Sequence, residues 1–525
     1  MNLKVFANSI SENNVPLEEN QIFNIQKIVK ICTKFHKENA TNTPKVQQTV
    51  EQFSQLDNDD VIVIEIAHQP NVFPHSGLFI KAVVGHLLKE QIEKSGKHAI
   101  CLFGLVNNDI SYNRFLFMNR FPYTNTKKLT DGYRNTGFPI GKKDRNKVYT
   151  WHRTPRLDEL NKIITSFIET YGENDRFVYN IRRTFESHDS LSEANSHLIT
   201  NIINKIWDLD VLFFNYTDLF ENRIILKECN ELIENEDQYA SYYNRAIDKY
   251  KLDIPKVGKN FLPLWFECDC GSKTRLFLHI DNGYSRINGR CQDCGNLIDT
   301  KAGNKDKSDL FSIYPKLSFD AVARDIICAR GLGTSVYISG RGGGLKYGKI
   351  SEHMRHELSI ENPIILAPFI LSKYASREWI GTLNRTKELI RRNEFKGLCH
   401  VNEAIVKIDK DAEMVRAQIE DLKQERERLN DINAHTSTIN ERLQQEKIKL
   451  AKLTTAKQNY LEISNRLTNL NDSVGINLSF YDLAFSEGLA TVIQYWIQSI
   501  KENDLNSEIT VEFPSYNQIL TGLLS

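Results

Sequence analysis

The sequence predicts an α/β protein built on a buried parallel sheet, and three stretches carry that expectation. The run Val61-Ile62-Val63-Ile64-Glu65-Ile66-Ala67 is short, β-branched and almost wholly apolar, as suits a strand covered on both faces. From Leu78 the apolar positions take helical spacing through Ile80, Val83, Val84, Leu87, Leu88 and Ile92, and the pattern ends near Gly96. A second buried run follows from Ala99 to Val106 and leads into Asn107-Asn108-Asp109. Strand, helix and strand in that order form a βαβ unit. In a doubly wound sheet, ligands sit outside the carboxyl ends of the strands, so loops 68–77 and 107–109 belong on one rim.

Other elements fit around this unit. Residues 16–53 carry amphipathic helical sequence that breaks near Thr41-Asn42-Thr43-Pro44, giving helices that pack beside the sheet. An aromatic and basic stretch, 112–152, reads as an insertion at the mouth of the crevice, with turn residues at Asp131-Gly132 and Gly137-Phe138-Pro139. Helical patterns at 157–171 and 190–209 precede a third buried strand, 211–216, which ends in Thr217-Asp218. Further helix is expected from about 221 to 250 and from 317 to 330. Ser335-Val336-Tyr337-Ile338-Ser339 is a strand that feeds the glycine-rich run 340–348, with helix expected from Ser351. That run adds a third wall to the crevice.

From Phe395 the character changes. No Pro or Gly occurs between Gly397 and Gly475, and Ile405, Ala412 and Ile419 alternate with Ile408, Val415 and Leu422 in heptad register, a coiled-coil pattern. The register breaks at 431–437, which favours an antiparallel hairpin over one continuous helix. Such an arm can close on itself or pair with a second copy as a homodimer. The expected domains are amino-terminal helices at 1–59, a core at 60–400 with insertions at about 110–195 and 261–302, the coiled-coil hairpin at 401–473, and a tail at 474–525 that packs on the core.

Composition narrows the function classes. With 525 residues, 41% of them hydrophobic, the chain can bury a large core in two or three structural units. Lys+Arg and Asp+Glu both total 67, so no net field favours nucleic acid or an anionic membrane, although local basic patches stay open. No apolar run reaches the roughly 20 residues of a spanning helix, and 1–14 lacks a signal-peptide core, so a cytoplasmic protein is expected. Five of the nine cysteines (Cys32, Cys101, Cys229, Cys328, Cys399) are scattered singly, which suits a reducing compartment.

The other four cysteines are grouped. Cys268-Asp269-Cys270-Gly271 and Cys291-Gln292-Asp293-Cys294-Gly295 are two knuckles of the kind a zinc ribbon needs, since an intervening hairpin brings four thiolates to one tetrahedral ion. The first knuckle is one residue short. Four thiolates without histidine point to a closed structural zinc site. In the first βα turn, His68, Gln69 and His75 can direct donors at a phosphate or a leaving oxygen, or can serve only to fix the turn. Asp109 and Asp218 end strands and are candidates for a ribose hydroxyl, an amine or a proton, or for helix caps. The run Gly340-Arg341-Gly342-Gly343-Gly344, with Lys346 and Tyr347, can approach phosphate through backbone N–H groups, though it matches neither nucleotide-binding fingerprint.

In this order the pieces resemble the bacillithiol synthase family, the cysteine ligases called BshC. The resemblance lies in Gln69 with Gly77-Leu78-Phe79-Ile80-Lys81, in the strand ending near Asp109, in 211–218, in 339–348 and in 402–470. It implies a Rossmann-like core similar to class I aminoacyl-tRNA synthetases, with inserted segments and a carboxyl-terminal coiled coil. The implied activity is joining cysteine or a similar amino acid to an amine, with ATP or another nucleotide involved. Two departures stand out. The family's glycine loop has an acidic residue where this chain has Arg341 and glycines, and the zinc ribbon is more like that of some class I synthetases. The contrasting expectation is a binding or assembly protein that keeps the fold and recruits partners through the arm.

Overall fold

The computed structural model describes residues 2–56, 60–71, 76–110, 119–125, 130–136, 144, 146–171, 176–281, 284–301, 313–360, 363–374, 398–431, 436–473 and 480–517. They divide into two compact units. The larger comprises 1–119, 135–371 and 479–511, and the smaller comprises 120–134, 372–478 and 512–525.

The larger unit is a mixed α/β assembly around five parallel strands: β1 (Val61–His68), β2 (His98–Leu105), β3 (Leu212–Asn215), β4 (Thr334–Ile338) and β5 (Ile364–Leu366). Their spatial order is β5-β4-β1-β2-β3, so the first strand is central and the chain adds strands to one side of it, then to the other. All five carboxyl ends therefore share one rim, and the winding reverses between β1 and β4. β5 has only three residues behind Pro363 and was not anticipated.

Both faces are covered, which is why the strands read as continuous apolar runs. On one face Val61, Val63, Leu102 and Phe214 share a core with Ile25, Ile28 and Val29 of helix Glu19–Glu38 and with helix Ala321–Leu332. On the other lies helix Ser76–Glu93, buried almost all round because helices Leu3–Glu12 and Leu489–Glu502 pack behind it. Phe480 stacks on Phe79 with ring centroids 3.7 Å apart, joining helix Phe480–Glu487 to this layer. Glu65 is the exception to the apolar strand. It is buried, yet Tyr216 Oη and Thr334 Oγ1 donate to its carboxylate at 2.6 and 2.8 Å, and burial pushes its pKa up.

An antiparallel sheet of five strands forms the second layer of this unit, in the order Leu317–Phe319, Phe261–Glu267, Lys273–Asp281, Tyr284–Arg290, Leu297–Lys301. Leu264, Leu276, Leu278, Ile287 and Ile298 alternate inward to join the same core. Residues 317–319, expected to begin a helix, instead close this sheet before helix Ala321–Leu332 starts at its cap, Asp320. Asp131-Gly132, expected as a turn, lies in strand Thr130–Thr136.

In the smaller unit two long helices, Leu398–Asp431 and Ser437–Ser473, lie antiparallel. Val415, Ile419 and Leu422 pack with Ile439 and Leu443, while Lys457 bonds both oxygens of Asp409 and Ser464 bonds Asn402. The apolar seam is thus covered by the chain's own second helix. Among the described residues no helix is long and apolar enough to cross a membrane.

Candidate functional site

The site begins where β1 and β2 end side by side. His68 is the last residue of β1, and one of its ring nitrogens lies 2.8 Å from the Gln69 carbonyl. Gln69 Nε2 donates to Asp109 Oδ2 at 2.7 Å, joining the first loop to the second. The other carboxylate oxygen of Asp109 accepts from the Ile110 N–H at 2.9 Å and from Lys273 Nζ at 3.0 Å. Asn107 reaches the other way, donating to Thr217 Oγ1 at 2.9 Å and accepting from the Thr217 N–H, so β3 is bound into the same rim.

Electrostatics favours a charged carboxylate here. Burial alone would raise the Asp109 pKa, but Lys273, Arg324 and the Gln69 hydrogen bond hold it below the ordinary range. Lys273 is itself nearly buried, and desolvation lowers its pKa despite Asp109. Lys81, in the second turn of helix Ser76–Glu93, is buried with Nζ donating to the Ala67 carbonyl at 2.8 Å. Burial, then the charge of Arg324, bring it down to about 7. Lys81, Lys273 and Arg324 form an electropositive setting that can attract an anion, and Lys81 can hold or release a proton near neutral pH.

Lys273 arrives from the antiparallel sheet, two residues beyond the first cysteine knuckle. Cys268, Cys270, Cys291 and Cys294 occupy the two turns at one end of that sheet, and their sulfurs all lie within 4.8 Å of one another. Two Sγ···Sγ separations are 3.5 Å (Cys268–Cys294) and 3.6 Å (Cys270–Cys291), close to the roughly 3.8 Å edge of a tetrahedron with Zn–S bonds of about 2.3 Å. Both turns close on glycine with positive φ, Gly271 at +81° and Gly295 at +77°, each N–H bonding the carbonyl of the first cysteine in its knuckle. Against the upward push of burial, the Ser272 N–H helps bring Cys270 down to about 6, while Cys268 and Cys294 go up, so the four thiols titrate as one group. These four residues could hold a metal such as zinc. By contrast Cys32, Cys101, Cys229 and Cys328 are buried thiols whose pKa values burial raises, and they behave as core apolar groups.

The knuckle is also fastened to the rim. Val148 N–H donates to the Gly271 carbonyl, Lys273 N–H to the Asn146 carbonyl, and Tyr149 N–H to the Asp109 carbonyl. Ser272 Oγ bonds Asp293 of the second knuckle. Moving the cysteine turn therefore moves Lys273.

Other expected residues fall differently. His75 lies outside the described residues. Asp218 takes the capping role: its carboxylate accepts from the Asn215 N–H as part of a capping box for helix Tyr216–Glu221. The glycine run is not a loop. Gly340 is the N-cap and Arg341, Gly342, Gly343 and Gly344 open helix Arg341–Glu357, with the Gly344 N–H bonding the Gly340 carbonyl at 2.7 Å. At Gly344 glycine serves packing, since a Cβ there would stand 2.9 Å from Ala367 Cβ just past β5, whereas Gly340 faces open space. The helix amino terminus still points from the rim next to β1, while Lys346 and Tyr347 sit exposed in its second turn. Lys273 and Arg324 were not anticipated. Lys273 shows in the sequence only as one outward position of an alternating strand, and Arg324 only as one polar residue of a helix.

Two outcomes follow. Purified protein should carry about one zinc per chain, the ligand count of one closed site, and Cys294→Ser should lose it; metal analysis finding none in reducing buffer would contradict this. Lys81→Met should raise stability, because the folded protein pays for burying a charge. That cost is full below about pH 7, shrinks as pH rises and vanishes near the ordinary lysine value of 10.5. Chemical denaturation should therefore show a larger gain at pH 6 than at pH 9, and equal gains would contradict a lowered pKa.

Compared with protein-family models and with curated proteins, the sequence matches none.

Proposed function

We propose that this chain is a BshC-like ligase that joins cysteine or a similar amino acid to an amine-bearing substrate with the help of a nucleotide such as ATP. In this reading the larger unit is a Rossmann-like core, the cysteine module is a structural zinc ribbon and the two long helices are a coiled-coil hairpin. The strand order supports it, because a parallel sheet that reverses beside its first strand opens a crevice at that point. The observation that carries the reading is Asp109, kept ionised at the rim between Gln69 and Lys273.

Amide formation needs an activated carboxylate and a free amine. Lys273 and Arg324 would receive the phosphate charge of a nucleotide or an acyl phosphate-type intermediate, and the amino terminus of helix Arg341–Glu357 would add its dipole from the neighbouring strand. Asp109 would hold the incoming amine in its free-base form, and Lys81 in its neutral form would take the one proton that nitrogen loses as it attacks the activated carbonyl, while the acyl–oxygen bond breaks and AMP or phosphate leaves with its electron pair. Zinc would hold the ribbon and so the position of Lys273, with no part in the chemistry.

One feature favours the second reading, a binding protein that keeps the fold without ligation: the Asp109 carboxylate is already satisfied by Gln69, Lys273 and the Ile110 N–H. Incubation with ATP, cysteine and a panel of amines, followed by mass spectrometry for AMP, ADP and product, separates the two. The ligase reading expects nucleotide consumption coupled to a new amide, with turnover reduced by roughly 10²–10³ in Asp109→Asn and Lys81→Met, the scale for one group aimed at developing charge. Undiminished turnover in both variants would remove the site, and no nucleotide consumption with any amine would favour the binding protein.

A further inference from the structure

We propose that the outer face of the antiparallel sheet binds single-stranded nucleic acid. One face of this sheet is committed to the core through Leu276, Leu278, Ile287 and Ile298, so the alternate positions Lys273, Arg275 and Phe277, with Asn288 and Arg290 on the next strand, point the other way. They border a cleft of roughly 680 Å³ lined by Trp265, Arg275, Phe277, Asn288, Arg290 and Gln292.

The chemistry of that cleft is specific. Phe277 is 38% exposed on the outer face of the sheet, where its ring is open to a ligand. The Arg275 guanidinium lies 4.6 Å from the Trp265 ring centroid and 5.1 Å from that of Phe261, and no carboxylate among the described residues pairs with it or with Arg290. Asp299, the acid at the edge of the cleft, is taken by Arg286 through two hydrogen bonds. The open Phe277 ring suits a base and the Arg275 and Arg290 guanidinium groups, without carboxylate partners among the described residues, suit phosphates, while Asn288 and Gln292 offer amides to base edges. The balanced total charge of the chain hides this patch, because it is local.

Lys273 belongs to both the cleft and the rim, where it bonds Asp109 at 3.0 Å. A strand lying along the sheet would thus run toward Asp109. The surface does not depend on the ligase reading, and absence of amide synthesis leaves it standing.

The test is fluorescence anisotropy with the full chain and labelled oligonucleotides of roughly 12 nucleotides, within the span such surfaces cover. RNA and DNA single strands of mixed sequence, the matching duplex and a polyglutamate competitor form the arms. Single-strand binding is expected to weaken about tenfold between about 50 and about 200 mM salt, as for two or three phosphate contacts. It should weaken roughly tenfold again in Phe277→Ala and in Arg290→Glu, with the melting temperature unchanged since both side chains are exposed. Preference for RNA or DNA identifies the natural strand. No binding at low salt, equal binding of duplex, displacement by polyglutamate, or full binding by both variants would overturn the proposal.

Discussion

Asp109 is the point at which the two sheets of the larger unit meet chemically. Its carboxylate draws Gln69 from the end of β1 and Lys273 from the antiparallel sheet, with an ion pair of 3.0 Å that is largely shielded from water. Burying such a pair gives little net stability, since desolvation of both ions offsets much of the attraction. Its consequence is positional. A buried lysine can be held against a buried carboxylate only if both backbones are fixed, and three separate devices fix them here. The parallel register of β1 and β2 sets Gln69 beside the Asn107–Asp109 turn, the Tyr149 N–H ties Asp109 to segment 146–149, and that segment clamps the first cysteine knuckle.

The cysteine cluster gains a role from this. Its strands already share the main apolar core, so the four sulfurs matter most for the shape of the turns at their end. Lys273 leaves the first turn directly, and an ion at those thiolates would hold the turn against the repulsion of the thiolates themselves. A metal bound there would then be coupled to the Lys273–Asp109 pair through two residues of backbone.

Much of this was legible in sequence, for physical reasons that differ by element. The runs at 61–67, 99–106, 211–216 and 335–339 stand out because a strand covered on both faces can hold almost nothing polar, and the strands lie at Val61–His68, His98–Leu105, Leu212–Asn215 and Thr334–Ile338. The cysteine knuckles show through local spacing alone. β5 escapes notice because three residues carry no period. Gly340 to Gly344 misleads, since glycine marks loops more often than helix starts; within it Gly344 supplies room for Ala367. Asp218 is a cap and Asp109 a hub, although both follow a buried strand and a polar turn. The difference is Lys273, more than 160 residues from Asp109, and no local pattern predicts that meeting.

The central claim is that the cysteine module sets Lys273 against Asp109, and a double-mutant cycle measures it directly. Unfolding free energies of wild type, Asp109→Asn, Lys273→Met and the double variant should give a coupling of about 1 kcal/mol or more in metal-loaded protein, as expected for groups in contact. After chelation of the metal the coupling should fall toward zero while the protein stays folded. The same coupling with and without metal would contradict the account.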